Sequence, residues 1–186
     1  MRKNIIVALF ICVSLIQLIS PLSMILKRES ILKNGEQFKF KTMPVDPFDA
    51  FRGRYVTLRL EEDYVSSSRE AKLNNGQVVY ALIDVDGDGF AKITDAVVVR
   101  PRGKPYLQSK VKYASRDKIY LDLPIDRYYM EENAAPAAER IHQKYARSDK
   151  QDAYIIVRVK NGSAVIENLY VGGQKIEDAV RQEMTK

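Results

Sequence analysis

The sequence holds a single cysteine, Cys12, and a single histidine, His142. With no thiol after residue 12, the rest of the chain can form no disulfide framework and offers no cysteine nucleophile. A Ser-His-Asp arrangement would have to use His142, which follows Ile141 and precedes Gln143 in a helix-like stretch. Nothing beside it marks a nucleophile or a ligand set, so it is read as a solvated helix residue. Zinc-ligand spacing is absent, as are internal repeats and low-complexity segments. Charge is absent from Ile5 to Leu26, a run of 22 residues.

As a helix that run is about 33 Å long, enough to cross the hydrocarbon of a bilayer, and Lys27-Arg28 end it. Arg2 and Lys3 ahead of it also fit the positive start of a cleaved signal peptide. The cleavage sites are poor. A cut after Ser20 puts Pro21 across the bond, a cut after Ser23 puts Pro21 three residues before it, and Ile11 is not the small residue a lipoprotein site needs before Cys12. The expectation is an uncleaved signal-anchor. Lys27, Arg28 and Lys33 nearly cancel the positive-inside bias of Arg2 and Lys3, and a long C-terminal region behind such an anchor most simply ends on the outer side. Within the run, Ser14, Gln17, Ser20 and Pro21 are polar or helix-bending groups able to pack against other helices. Ser23-Met24 is similar to the serine-methionine pair of signal peptidase I, but the lysine-bearing motif that would supply a base is missing.

The net charge is +6, and without Arg2 and Lys3, 28 basic residues face 24 acidic ones. Spread over the chain, that balance reads as ordinary solubility, with no nucleic-acid partner implied. The length suits one domain. We divide the chain into residues 1–33, comprising the tail, the signal-anchor helix and its extension, and residues 34–186, a β-rich domain on the far side of the membrane.

Glu29–Asn34 prolongs the anchor helix until Asn34-Gly35 stops it with a left-handed cap. Glu36–Thr42 alternates, with Phe38 and Phe40 opposite Lys39 and Lys41, the period of a half-buried strand; Tyr55–Leu60 alternates again. Glu61–Asn75 reads as a polar, mobile loop. Gln77–Val85 and Phe90–Arg100 form one hairpin, Val111–Ala114 and Lys118–Leu123 a second. Asn133–Arg147 is an amphipathic helix on Ala134, Ala138, Ile141 and Tyr145. Asp152–Val159 and Ser163–Val171 enclose Asn161-Gly162, a strong hairpin signal, and a short helix over Ile176–Thr185 closes the chain. About eight strands and one good helix argue for a mainly β, α+β fold: an N-terminal transmembrane helix, then a curled antiparallel sheet or small open β-barrel with the amphipathic helix against it.

Between the first two strands lies a corner. Pro44 and Pro47 forbid both a continuing helix and an uninterrupted strand, Asp46 and Asp49 can cap a short turn, and Gly53 frees the backbone to re-enter the sheet. Arg52-Gly53-Arg54-Tyr55-Val56-Thr57-Leu58-Arg59-Leu60, preceded by Pro44-Val45-Asp46-Pro47, resembles the signature of the GDYXXLXY family. Gly53, Tyr55 and Leu58 stand where the motif wants them, while its Asp is Arg54 and its last Tyr is Leu60. The order of parts is similar as well: apolar segment, Pro-rich corner, β-rich middle, Tyr-Tyr-Met-Glu ahead of a helix, and a final strand pair. The resemblance implies a small bacterial membrane-anchored protein with no established activity, in the inner membrane, whose partner is itself a polytopic membrane protein.

Two constellations compete with blander readings. Asp46, Asp49, Arg52, Arg54 and Tyr55, with Lys41 and Arg59 near, can line a polar pocket for an anion or a carboxylate; capping by the aspartates and packing of Tyr55 account for the same letters. Asp84, Asp86, Asp88 and Asp95 fall at positions one, three, five and twelve of a calcium-loop pattern, with Gly89 at six. Asp in place of Glu at twelve, Lys92 at nine and strand-like flanks favour a plain hairpin tip. The eleven tyrosines suit either an interaction surface or a sheet edge.

The expectation is a membrane-anchored binding or accessory domain serving a membrane protein complex, with Gly53, Tyr55 and Leu58 in its binding corner and no complete catalytic constellation or obligatory cofactor. The alternatives are a membrane-tethered envelope enzyme using Asp46, Asp49, Arg52 and Tyr55, and a calcium module using Asp84, Asp86, Asp88 and Asp95.

Overall fold

The computed structural model describes residues 2–43, 55–61, 63–66, 73–115, 117–147 and 152–185. Its first element, α1 (Arg2–Asn34), absorbs the uncharged run and is long and apolar enough to cross a membrane. The side chains of Ile5–Leu26 that are described are almost all exposed, whereas Ile31 in the last turn is buried. The helix ends at Asn34 as expected, but for a different reason. Gly35 is not in the left-handed region, and its N–H donates to the Ile31 carbonyl at 2.7 Å. A Cβ there would collide with that carbonyl oxygen and lie 3.1 Å from the Arg158 Cβ, so close packing requires the glycine.

Twelve strands follow among the described residues. β1 (Glu36–Met43), β10 (Ala153–Lys160), β11 (Ser163–Val171), β12 (Gln174–Lys175) and β3 (Arg59–Leu60) make an antiparallel sheet in the order β12-β11-β10-β1-β3. A second sheet runs β4-β8-β7-β5-β6, from β4 (Tyr64–Ser66), β8 (Lys118–Asp122), β7 (Tyr106–Ala114), β5 (Val78–Val85) and β6 (Ala91–Val97). Register shifts at Leu82/Ile83 and Val111/Tyr113 mark bulges in it. Bulges deepen the right-handed twist, and the sheet curls until its edge strands β4 and β6 touch, nearly closing a barrel. A two-stranded ribbon pairs β2 (Tyr55–Thr57) with β9 (Arg127–Tyr129). Two helices, α2 (Ala135–Ala146) and α3 (Ile176–Met184), pack on each other and on β11.

One apolar cluster runs through both large sheets, from Phe38, Phe40 and Ile155 to Leu107 and Val79. Gly162, at the β10–β11 turn, bridges to Leu107 of β7 and accepts the Gln108 N–H at 2.8 Å. The turn is the expected Asn-Gly hairpin, with φ of 52° at Asn161 and 81° at Gly162.

Four further expectations need correction. Tyr55–Leu60 is not one strand: β2 and β3 join different sheets, with Leu58 between them. Glu61–Asn75 is not all loop, since Tyr64–Ser66 pairs with β8. β7 starts at Tyr106, five residues before the expected Val111–Ala114 segment. His142 is not solvated: it is 1% exposed, on the face of α2 formed by Ala135, Ala138, Ile141 and Ala146.

Candidate functional site

The described part of the motif alternates strictly: Val56, Leu58 and Leu60 are buried while Tyr55, Thr57 and Arg59 turn outward. Leu58 donates its N–H to the Asp126 carbonyl at 2.8 Å, the link that carries the chain from one sheet to the next. Thr57 to Leu60 thereby form one wall of a groove of about 420 Å³. The opposite wall is β8 and the segment after it, Tyr120 to Asp126, with Tyr113 of β7 at the rim.

Leu60, Leu121, Leu123 and Ile125 give the groove an apolar floor, and charged and aromatic groups ring its mouth. The Tyr113 and Tyr120 rings stack at 4.3 Å and 21°, and Tyr64 leans on Tyr120 at 5.7 Å. Lys118 lies 3.8 Å over the Tyr64 ring. Arg59 Nε donates to Asp63 Oδ2 at 3.0 Å. Desolvation, and then the neighbouring Tyr120, push the Tyr113 phenol above its ordinary value, so it is a neutral hydroxyl at physiological pH. Such a groove offers aromatic area, hydroxyl donors and both signs of charge, the makeup of a recognition surface.

On the other side of Leu58, Tyr55 belongs to the β2–β9 ribbon. Its ring sits 5.7 Å from that of Tyr129, with the Arg127 guanidinium 5.1 Å above it. Tyr128, between them, points the other way and donates its hydroxyl to Glu177 of α3 at 2.5 Å. Burial and that carboxylate push its phenol strongly upward. The ribbon is thus pinned to α3 from behind and presents Tyr55, Tyr129 and Arg127 outward.

Of the expected binding corner, Asp46, Asp49, Arg52, Gly53 and Arg54 lie outside the described residues; Tyr55 and Leu58 are placed as above. Lys41, expected to face the corner aspartates, holds its ammonium 5.0 Å from the Phe90 ring. The four calcium-loop aspartates lie on the β5–β6 hairpin, and the carboxylates of Asp84, Asp86 and Asp95 are occupied locally. Asp86 Oδ1 accepts the N–H groups of Asp88 and Phe90 at 3.0 and 2.9 Å, and Asp84 and Asp95 accept from Val85 and Ala96. The Phe90 N–H in particular holds the Asp86 carboxyl below its usual range. Among the described residues no group of three or more His, Cys, Asp or Glu is arranged to hold a metal ion. Ser23 spends its hydroxyl on the Ser20 carbonyl within α1.

Sequence reasoning missed the groove and the partner of the histidine. Tyr113 and Tyr120 belong to ordinary alternating segments, and only the β7–β8 register sets them opposite each other. His142 shares a hydrogen bond between its Nε2 and the Thr42 hydroxyl at 2.9 Å, both groups buried. Burial drops the ring to about 4 from its ordinary 6.5, so it stays neutral at physiological pH.

Comparison with curated proteins found no match, and comparison with solved structures found none either. A family model described as "GDYXXLXY protein" matches residues 17–169, from the middle of α1 to near the end of β11, and so takes in the second half of the apolar helix, the groove and the ribbon together. The chain belongs to the GDYXXLXY family.

Proposed function

We propose that the protein is a single-pass component of a bacterial inner membrane whose β-rich part lies on the outer side and serves a membrane protein complex by binding. One observation carries this reading: the apolar helix and the β-rich part are joined without a linker. Ile31 of α1 is buried, Lys160 Nζ donates to Ser30 Oγ at 2.8 Å, and Arg158 donates to the Gly35 carbonyl at 3.3 Å while pairing with Glu167 at 2.7 Å. A domain on a flexible tether samples many orientations; one welded to its helix presents a single surface at a fixed height. That geometry suits a partner held in the same membrane, and the groove beside the motif is the surface we assign to it.

Alkaline extraction of membranes followed by proteolysis from each side tests the topology. The full chain should stay in the membrane pellet and lose its β-rich part only to protease added from outside. Release by alkali, or cleavage from the cytoplasmic side alone, contradicts the reading.

A further inference from the structure

Arg28 is the second residue past the uncharged run, about 3 Å beyond Leu26 along the helix and so at the depth of lipid headgroups if α1 spans a bilayer. It does not stand alone there. Arg28 lines a hollow of about 350 Å³ with Arg127, Tyr129 and Ile166, which brings the motif-bearing ribbon to the point where the helix leaves the membrane. Tyr129 is 59% exposed, its ring beside that of Tyr55 and the Arg127 guanidinium over the latter. Asp126 is the acidic neighbour, 3.5 Å from Arg127 and itself exposed; Lys27 and Arg28 leave the local balance positive.

We propose that the outward face of the β2–β9 ribbon, Tyr55, Tyr129 and Arg127, together with Arg28, is a second membrane contact that binds anionic phospholipid headgroups. The inference rests on the membrane reading above. Tyrosine is at home at the bilayer interface because its ring is apolar and its tip polar. Arginine pairs with phosphate in a bidentate fork, and each basic residue near an anionic surface adds about fivefold to surface affinity. The occupant follows from position: a surface continuous with the exit of a spanning helix meets lipid before it meets anything soluble. Helix and ribbon would then fix the tilt of the β-rich part with two points of contact, leaving the groove free for a protein.

The sequence contains no tryptophan, so Tyr129→Trp in the full chain introduces one indole and nothing else to report. The variant is reconstituted in nanodiscs of phosphatidylcholine, or of phosphatidylcholine with one-third phosphatidylglycerol, each carrying headgroup spin-labelled lipid. We expect at least twofold quenching in the anionic discs, reduced to the level of the neutral discs by Arg127→Gln. Hydrogen exchange on the unsubstituted chain guards against a misfolded variant: amides of residues 127–129 should exchange several-fold more slowly in anionic discs than in neutral ones. Incorporation without quenching, or with equal quenching and exchange in both lipids, overturns the headgroup site and leaves the anchor intact. Failure of the full chain to enter discs at all overturns the membrane reading with it.

Discussion

His142 Nε2 lies 2.9 Å from the hydroxyl oxygen of Thr42, tying α2 to the end of β1 inside the core. Burial disfavours the charged form of the imidazole at this position. In the folded protein the ring takes up a proton near pH 4, in the unfolded chain near 6.5. The depressed value means that the folded state is at full stability above about pH 6.5 and loses stability as the pH falls towards 4, where the effect levels off. At about 1.4 kcal/mol per unit, the loss across that window is about 3 kcal/mol. Thermal melts between pH 7 and 4.5 should show this slope, and His142→Gln should flatten it. An unchanged slope in the variant means that other groups carry the acid sensitivity.

The two large sheets meet at Gly162. Its φ of 81° suits glycine, and a Cβ there would lie 2.5 Å from the Tyr106 ring. Gly162→Ala is therefore expected to cost about 2 kcal/mol or more, from left-handed strain and from a ring that must move. Asn161→Gly, on the same turn with φ of 52°, should cost far less. Equal losses in denaturant midpoints would show that the turn, and not the Tyr106 contact, sets the effect.

The junction of helix and β-rich part can be broken without touching the groove. Gly35→Ala forces a methyl group against the Ile31 carbonyl, and Arg158→Gln removes the bond to Gly35 and the Glu167 pair. Truncating one partner of such a half-buried pair costs on the order of 1–3 kcal/mol. Both variants should loosen the junction, seen as faster hydrogen exchange at residues 30–37 while the amides of β7 keep their protection. Uniform acceleration across the chain would mean that the junction is part of one cooperative unit.

The β5–β6 tip behaves in this structure as a turn closed by Asp86. Its depressed carboxyl gives a contribution to stability that is present above the ordinary carboxylate pKa and lost as the pH falls through the folded value. Calcium should leave the melting temperature of the full chain unchanged, because Asp84, Asp86 and Asp95 already accept nearby N–H groups and no three carboxylates among the described residues are arranged to hold a metal ion. Asp86→Ala should lower that temperature, with Asp86→Asn in between, since an amide oxygen still accepts one N–H. A rise in melting temperature with calcium and not magnesium would restore the loop as a metal site.

How much of this was legible in the sequence depended on where local chemistry decides. The long apolar helix follows from 22 uncharged residues, and the Asn161-Gly162 and Asp86–Gly89 hairpins from residues that tolerate their turns. β2, β3 and β4 have two or three residues each, too few to show a period, and their partners come from distant parts of the chain. Gly35 was rightly seen as a stop, but its reason is a neighbouring strand that no local reading contains. His142 was misread because a polar letter on an apolar helix face is buried only when something like Thr42 waits for it. Tyr55 and Leu58 stood out through the motif; Tyr113, Tyr120 and Asp63 had no signal short of the register that gathers them. The aspartates of the corner, Asp46 and Asp49, lie outside the described residues.

The groove beside the motif is proposed to hold a membrane partner. A photo-crosslinking amino acid at Tyr113 in the full chain, activated in native membranes, tests it most directly. The expected result is one defined adduct with a multispanning membrane protein, diminished when Arg59→Glu reverses the charge at the groove's mouth. Recovery of the chain as an unlinked monomer, or a smear of adducts that Arg59→Glu leaves unchanged, would contradict it.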